Sequence, residues 1–297
     1  MMNLAGAVGR RFPSGRPQAV TERLLTIRRH LDHARPLPDF LIIGGQRCGT
    51  SSLYKYLGRH PLVVPSLRKE IRYLSDRYDM GEAWYRSHFP SRAYRAWLAR
   101  RNGREPLTFE ASPAYLFHPW AAQRAAHLMK VDIVALLRNP IDRAFSHYQH
   151  SVRRGWETLS FEEALAAEPN RLAGYAERLA SDPNYHSKEY LRFSYASRGF
   201  YAEQLERWMV HFPIDRILVL RSEDLFERSL DTYHQLLDFL GLPRWTPAQL
   251  ANHSYRGSAP PESRPLHPAL RRSLHETFAP HNQRLSLLLG RDFGWDR

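Results

Sequence analysis

Two short segments carry residues whose types and spacing suit the binding of a phosphorylated ligand. The first is Gly44-Gly45-Gln46-Arg47-Cys48-Gly49-Thr50-Ser51-Ser52. A polar, glycine-bearing loop that runs straight into a helix aims several backbone N–H groups at one point, and the helix dipole adds potential that favours an anion. The segment departs from the nucleoside-triphosphatase loop, where the second glycine is followed by Lys and then Ser or Thr. Here Gly49 is followed by Thr50, and the cation sits earlier, at Arg47. No acidic magnesium ligand is evident after a later strand, so a γ-phosphate and its metal have no evident home, which disfavours a kinase or ATPase. Taken alone, the loop also reads as a plain glycine-containing strand-to-helix turn.

The second segment is Leu136-Leu137-Arg138-Asn139-Pro140-Ile141-Asp142-Arg143-Ala144-Phe145-Ser146-His147-Tyr148. Arg138 closes an apolar run, at the carboxyl end of a strand where α/β sheets bind ligands. Ser146, about two turns along the next helix, adds a hydroxyl donor to a phosphate already paired with the guanidinium. Arg143 reads as a solvated helix residue.

These segments need strands to end where they begin. The runs 39–44, 131–137 and 216–220 read as strands buried on both faces, and 107–110 and 62–64 as shorter ones. Helical spacing follows at 51–59, 120–129, from Pro140 through Arg154, and at 199–211, with Pro140 suited to the first turn of its helix. Alternation of this kind predicts an α/β fold with a central parallel sheet flanked by helices. After Leu240 the prolines crowd, and two closing helices are expected between about Pro268 and Leu289. Residues 1–36 read as a basic arm with one helix around Glu22–His33, and 37–297 as a single domain.

With 297 residues and 43% apolar content the chain can bury one substantial core. Its net charge of +13 and pI near 10.1 favour anionic partners. A basic nucleic-acid-binding protein is the non-enzyme alternative, but no zinc-finger spacing, basic zipper or RNA-recognition signature is present. Cys48 is the single cysteine, which excludes an intrachain disulfide and suits a cytoplasmic location. No run approaches the roughly 18 apolar residues that span a bilayer, and Leu4–Val8 is too short for a secretory core. A soluble protein without stable membrane insertion is expected.

With both segments in order and context, the chain resembles the superfamily of sulfotransferases that use 3′-phosphoadenylyl sulfate (PAPS), and in particular the heparan-sulfate type and its bacterial relatives. The resemblance runs from about Pro38 to the C-terminus, including Phe109-Glu110-Ala111-Ser112-Pro113-Ala114-Tyr115 and Gly290-Arg291-Asp292-Phe293-Gly294-Trp295. It implies a three-layer P-loop-type fold, PAPS as donor, 3′,5′-diphosphate (PAP) as product, no metal, and a small-molecule, carbohydrate or lipid acceptor rather than nucleic acid. It makes Gln46, Arg47, Cys48, Gly49, Thr50, Ser51 and Ser52 the 5′-phosphosulfate loop, and Arg138 with Ser146 the 3′-phosphate site. Glu70, in Lys69-Glu70-Ile71-Arg72-Tyr73, falls where the family has an acidic general base. Tyr201 resembles a tyrosine that meets the adenine side, and Arg256-Gly257-Ser258, or Arg264 in its stead, a late basic loop over the 3′-phosphate. Glu110 and Ser112 correspond to a segment facing the acceptor, with further acceptor walls expected from Glu70–Trp84 and Asn170–Arg192. Three departures stand out. Arg47 replaces the usual lysine, Arg72 and Ser75 stand where some heparan-type relatives have histidine and aspartate, and Ala111 replaces a lysine common in the heparan enzymes.

Overall fold

Short apolar runs form the sheet because neighbouring layers cover both of their faces. In β1 (Phe40–Gly44) every residue is buried, Phe40 and Ile42 joining one core and Leu41 and Ile43 the other. With β2 (Val63–Pro65), β3 (Leu107–Ala111), β4 (Asp132–Leu137) and β5 (Ile217–Arg221) it makes a sheet in the order β2-β3-β1-β4-β5, every pairing parallel. The computed structural model describes residues 18–31, 35–247, 250 and 266–296.

The helices of the described residues are α1 (Gln18–Leu31), α2 (Thr50–Leu57), α3 (Glu82–Arg86), α4 (Arg92–Asn102), α5 (Ala121–Leu128), α6 (Pro140–Arg153) and α7 (Phe161–Leu172). They continue with α8 (Tyr175–Ser181), α9 (Lys188–Phe193), α10 (Tyr201–Met209), α11 (Ser222–Glu227), α12 (Ser229–Phe239) and α13 (Pro268–Leu289). One face of the sheet packs on Ala125 of α5, Leu205 and Trp208 of α10 and Leu285 of α13. The other packs on Leu53 and Leu57 of α2 and Leu236 and Leu237 of α12. The result is the expected three-layer α/β architecture. No helix of the described residues is long and apolar enough to cross a membrane.

Three expectations need correction. The closing segment is one helix, α13, although Pro280 lies inside it. Burial of Leu274, Phe278 and Leu285 along one side offsets the backbone bond that a helical proline forfeits. The N-terminal helix lies earlier than expected, at Gln18–Leu31, and it packs against α3, with Leu25 1% exposed. The helix expected in the 1–36 arm is therefore seated on the main domain. Arg143 is 0% exposed and donates to Tyr195 O, because α6 turns that side into a core with Phe161 and Phe278.

At Gly44, where β1 meets the polar loop, an added Cβ would lie 2.5 Å from Leu116 Cβ. Overpacking of this kind typically costs about 1–3 kcal/mol. Gly44→Ala is expected to lower the unfolding free energy by that margin, as equilibrium urea denaturation of the two proteins will measure.

Candidate functional site

The site forms where two neighbouring parallel strands send their chains in opposite directions. From β1 the chain leads to β2 and β3 on one side; from β4 it leads to β5 on the other. The loops after β1 and β4 thus part at the carboxyl edge and leave a crevice. It opens into a cleft of about 1040 Å³, lined among others by Gln46, Arg47, Gly49, Thr50, Ser51, Glu70, Arg138 and Ser146.

The loop after β1 is drawn against β4 by the Gly45 N–H, which donates to Leu136 O at 2.5 Å. Arg47 takes a left-handed conformation (φ 69°), which non-glycine residues rarely adopt away from ligand sites. Gly49 (φ 92°) then opens α2, whose first residues are Thr50 and Ser51. On the other side of the crevice, Asn139 Oδ1 accepts from Ile141 N–H at 3.0 Å and caps α6, with Pro140 in its first turn. That start places Ser146 over the loop, where its Oγ accepts from Arg47 Nε at 3.1 Å, and Arg138 Nη1 reaches Arg47 O at 3.5 Å. The two segments singled out in the sequence therefore meet in one site.

Charge in the cleft is one-sided. Arg47, Arg72, Arg138, Arg153, Arg154 and Arg198 line it, against Glu70, Asp142, Glu223 and Glu227. Asp142 is paired with Arg271 at 2.8 Å, and Glu223 with Arg221 at 3.3 Å. Among the described residues no carboxylate pairs with Arg138, Arg153, Arg154 or Arg198. Burial, then Arg153 and Arg138, lower the proton affinity of Arg47. Burial, then Arg47, Arg154 and Arg153, do the same to His150. Such a surface attracts a polyanion.

Glu70 stands on the opposite lip, 48% exposed at its side chain, with Lys69 Nζ 2.6 Å from its Oε1. Both Glu70 (φ 59°) and Arg72 (φ 62°) are left-handed. Glu70 N–H donates to Ala111 O at 3.0 Å, which fastens this lip to the end of β3.

Several expected site residues are buried or absent from the cleft lining. Glu110, on β3, and Ser112, just after it, are 0% exposed and do not line the cleft, because both sides of that strand's end are covered. Tyr201 is 1% exposed in the core, its hydroxyl donating to Arg138 O at 2.9 Å, so it supports the arginine's backbone from behind. Cys48 is fully buried among Leu53, Val134 and Leu136, and its N–H is taken by Gly45 O at 3.2 Å. Ser52 is 6% exposed on the inner side of α2. Residues 170–192 are absent from the cleft lining, since α8 and α9 pack on Phe117 and Trp120. Arg256, Gly257, Ser258 and Arg264 lie outside the described residues.

Sequence reasoning missed Gln149, His150 and Arg153, which line the cleft beside Ser146. Their spacing of three, four and seven from Ser146 is the signal that places them on one helix face. It also missed Arg198, 4% exposed, stacked over Phe117 at 4.6 Å with its Nε unpaired. Nothing local marks that residue. Among the described residues no cluster of three or more His, Cys, Asp or Glu is placed to hold a metal ion.

A family model described as "Sulfotransferase domain" matches residues 37–256. Among curated proteins, the chain is similar to the membrane-associated sulfotransferase kil1 of Dictyostelium discoideum, 25% identical over 87% of this chain and 66% of that protein. It is also similar to heparan sulfate glucosamine 3-O-sulfotransferase 3B1 of Homo sapiens, 28% identical over 89% of this chain and 66% of that one. The chain thus spans about two thirds of the length of these relatives. Among solved structures, a sulfotransferase from Alicyclobacillus acidocaldarius is 31% identical, with a TM-score of 0.65 over 88% of this chain and all of that one.

Burial pushes the Cys48 thiol up to about 11. Iodoacetamide at pH 8 is expected to leave the folded protein unmodified and to label Cys48 only after unfolding, which mass spectrometry reads directly. Rapid labelling of the native state would contradict the loop geometry described.

Proposed function

This chain belongs to the sulfotransferase domain family, and from that premise we propose that it moves a sulfonate group from PAPS to a hydroxyl or amine of an acceptor, with Glu70 as general base. The observation that carries this reading is the meeting of Arg47, Arg138 and Ser146 across the crevice between β1 and β4. A donor phosphorylated at both ends needs cations and donors at two points of one cleft. Arg138 and Ser146 suit the 3′-phosphate, while Arg47 and the N–H groups opening α2 suit the 5′-phosphosulfate. The cleft volume of about 1040 Å³ leaves room for an acceptor beside the nucleotide. Phe226, which lines the cleft beside Gly49, suits the adenine side better than Tyr201, which does not line the cleft.

In this scheme Glu70 takes the proton of the acceptor O–H or N–H as that atom bonds to sulfur. The bond from sulfur to the bridging phosphate oxygen breaks, and Arg47 with the loop amides takes up the negative charge of the departing PAP. Fixed donors aimed where charge develops are the main lever in such transfers. Arg198, which lines the cleft without a carboxylate partner among the described residues, favours an acceptor with a negatively charged group. The relatives named for heparan sulfate glucosamine make a carbohydrate the first acceptor class to examine.

Calorimetry with PAP tests the donor site, and an acceptor screen read as mass gain of one sulfonate tests the reaction. A charge-assisted phosphate contact contributes about 1.5–3 kcal/mol, so Arg138→Ala is expected to weaken PAP binding by roughly 10- to 100-fold. Glu70→Gln is expected to cut kcat by about 100-fold or more with PAP affinity kept, as for removal of a general base. A native protein that binds neither PAP nor PAPS would end this reading.

A further inference from the structure

Beneath the cleft lies a buried polar cluster that the transfer scheme leaves unused. Glu110 Oε1 accepts from Tyr85 Oη at 2.7 Å and from Tyr115 Oη at 2.8 Å, and Oε2 accepts from Ser112 Oγ at 2.9 Å. Two of these hydroxyls face onward. Ser112 Oγ accepts the N–H of Arg72 at 3.1 Å, and Tyr115 Oη accepts the N–H of Leu74 at 3.2 Å. With Glu70 N–H on Ala111 O, the segment 70–74 is hung at three points from the end of β3 and the turn that follows it.

The direction of the protons follows from the chemistry of the carboxylate. A hydroxyl has one proton, and an ionised carboxylate only accepts. Glu110 therefore draws the Ser112 and Tyr115 protons toward itself and leaves their lone pairs facing the two loop N–H groups. A protonated acid or an amide at this position carries a donor of its own, so one hydroxyl proton loses its acceptor and that hydroxyl must reorient beside the loop. The segment so held contains Glu70 and Arg72 in left-handed conformations, which need support from their surroundings.

We propose that Glu110 is the positioning residue of the catalytic base: through Ser112 and Tyr115 it sets the backbone of 70–74 and so aims the Glu70 carboxylate at the acceptor, without touching the acceptor itself. The inference rests on Glu70 being the base.

Burial raises Glu110 to about 7, against the lowering effect of Tyr85, Tyr115, Ser112 and the Ile71 N–H. The titratable side chains that face it are Tyr54 on α2, Tyr85 on α3 and Tyr115 after β3, all raised by burial, so Glu110 is the one that changes charge near neutrality. The folded state binds this proton more tightly than the unfolded chain, whose value is near 4.5, so the fold loses stability as pH rises from there through about 7. The ionised form that strains the fold is the one that orders the loop. Activity and stability therefore run in opposite directions with pH at this residue.

The experiment compares Glu110→Gln and Ser112→Ala with the native protein, with Glu70→Gln as a control. Amide hydrogen exchange of 70–74, with PAP bound, needs no acceptor and is expected to quicken by about tenfold in both variants. With the acceptor found in the screen, kcat is expected to fall by about 100-fold, the size of effect that misplacement of a catalytic group produces. PAP affinity stays within about threefold, and the rising limb of kcat near pH 7 is lost from Glu110→Gln. A merely structural role would lower the unfolding midpoint at pH 8 and leave the rate of the folded fraction intact. Unchanged exchange in 70–74, or kcat within about threefold of native, overturns the proposal; if Glu110→Gln does not fold, Ser112→Ala decides. Should Glu70→Gln keep the full rate, the base reading fails; should it lose the rate while the other variants keep theirs, only the positioning role fails.

Discussion

The structure depends on one juncture, the contact between the loop leaving β1 and the helix that follows β4. Arg47 Nε on Ser146 Oγ, Arg138 on Arg47 O and Gly45 N–H on Leu136 O tie together segments about a hundred residues apart in the chain. Parallel pairing of β1 with β4 makes this possible, since it brings both carboxyl ends to the same edge. The opposite departures of the two chains then leave a gap that the sheet cannot fill and that a ligand can occupy.

Around that gap the protein places charge in a way that stability alone would not favour. Arg143 and Arg198 are almost wholly buried, and among the described residues neither is paired with a carboxylate. Buried cations without partners cost free energy. Their field, added to that of Arg47, Arg138, Arg153 and Arg154, makes the cleft a strong well for an anion. Glu110 is the counterpart below the floor, a buried carboxyl bonded by hydroxyls instead of arginines.

Of the departures from the family pattern, Arg47 and Arg72 line the cleft, while Ser75 and Ala111 are buried beside it. Arg47 keeps a cation where lysine is usual, but its planar group is engaged edge-on with Ser146. Arg72, standing where some heparan-type relatives have histidine, pairs with Asp76 at 3.1 Å and lines the cleft. Ala111 in place of lysine is fully buried, so its side presents no charge to an acceptor.

The amino-acid sequence by itself determined the sheet, the position of both segments that meet in the cleft and the family, because each is a local pattern: an apolar run, a glycine loop before a helix, an arginine two turns from a serine. Only the tertiary structure decided sidedness. Polarity does not tell whether Glu110, Ser112, Arg143 or Tyr201 faces the cleft or the core, since all depend on what the next layer covers. The same holds for α13, where two helices were expected and packing kept one helix whole, and for Arg198, which reaches the site through contacts formed with Phe117 and Tyr190 after folding. Side chains aimed by neighbours far away in sequence leave no mark in the sequence around them.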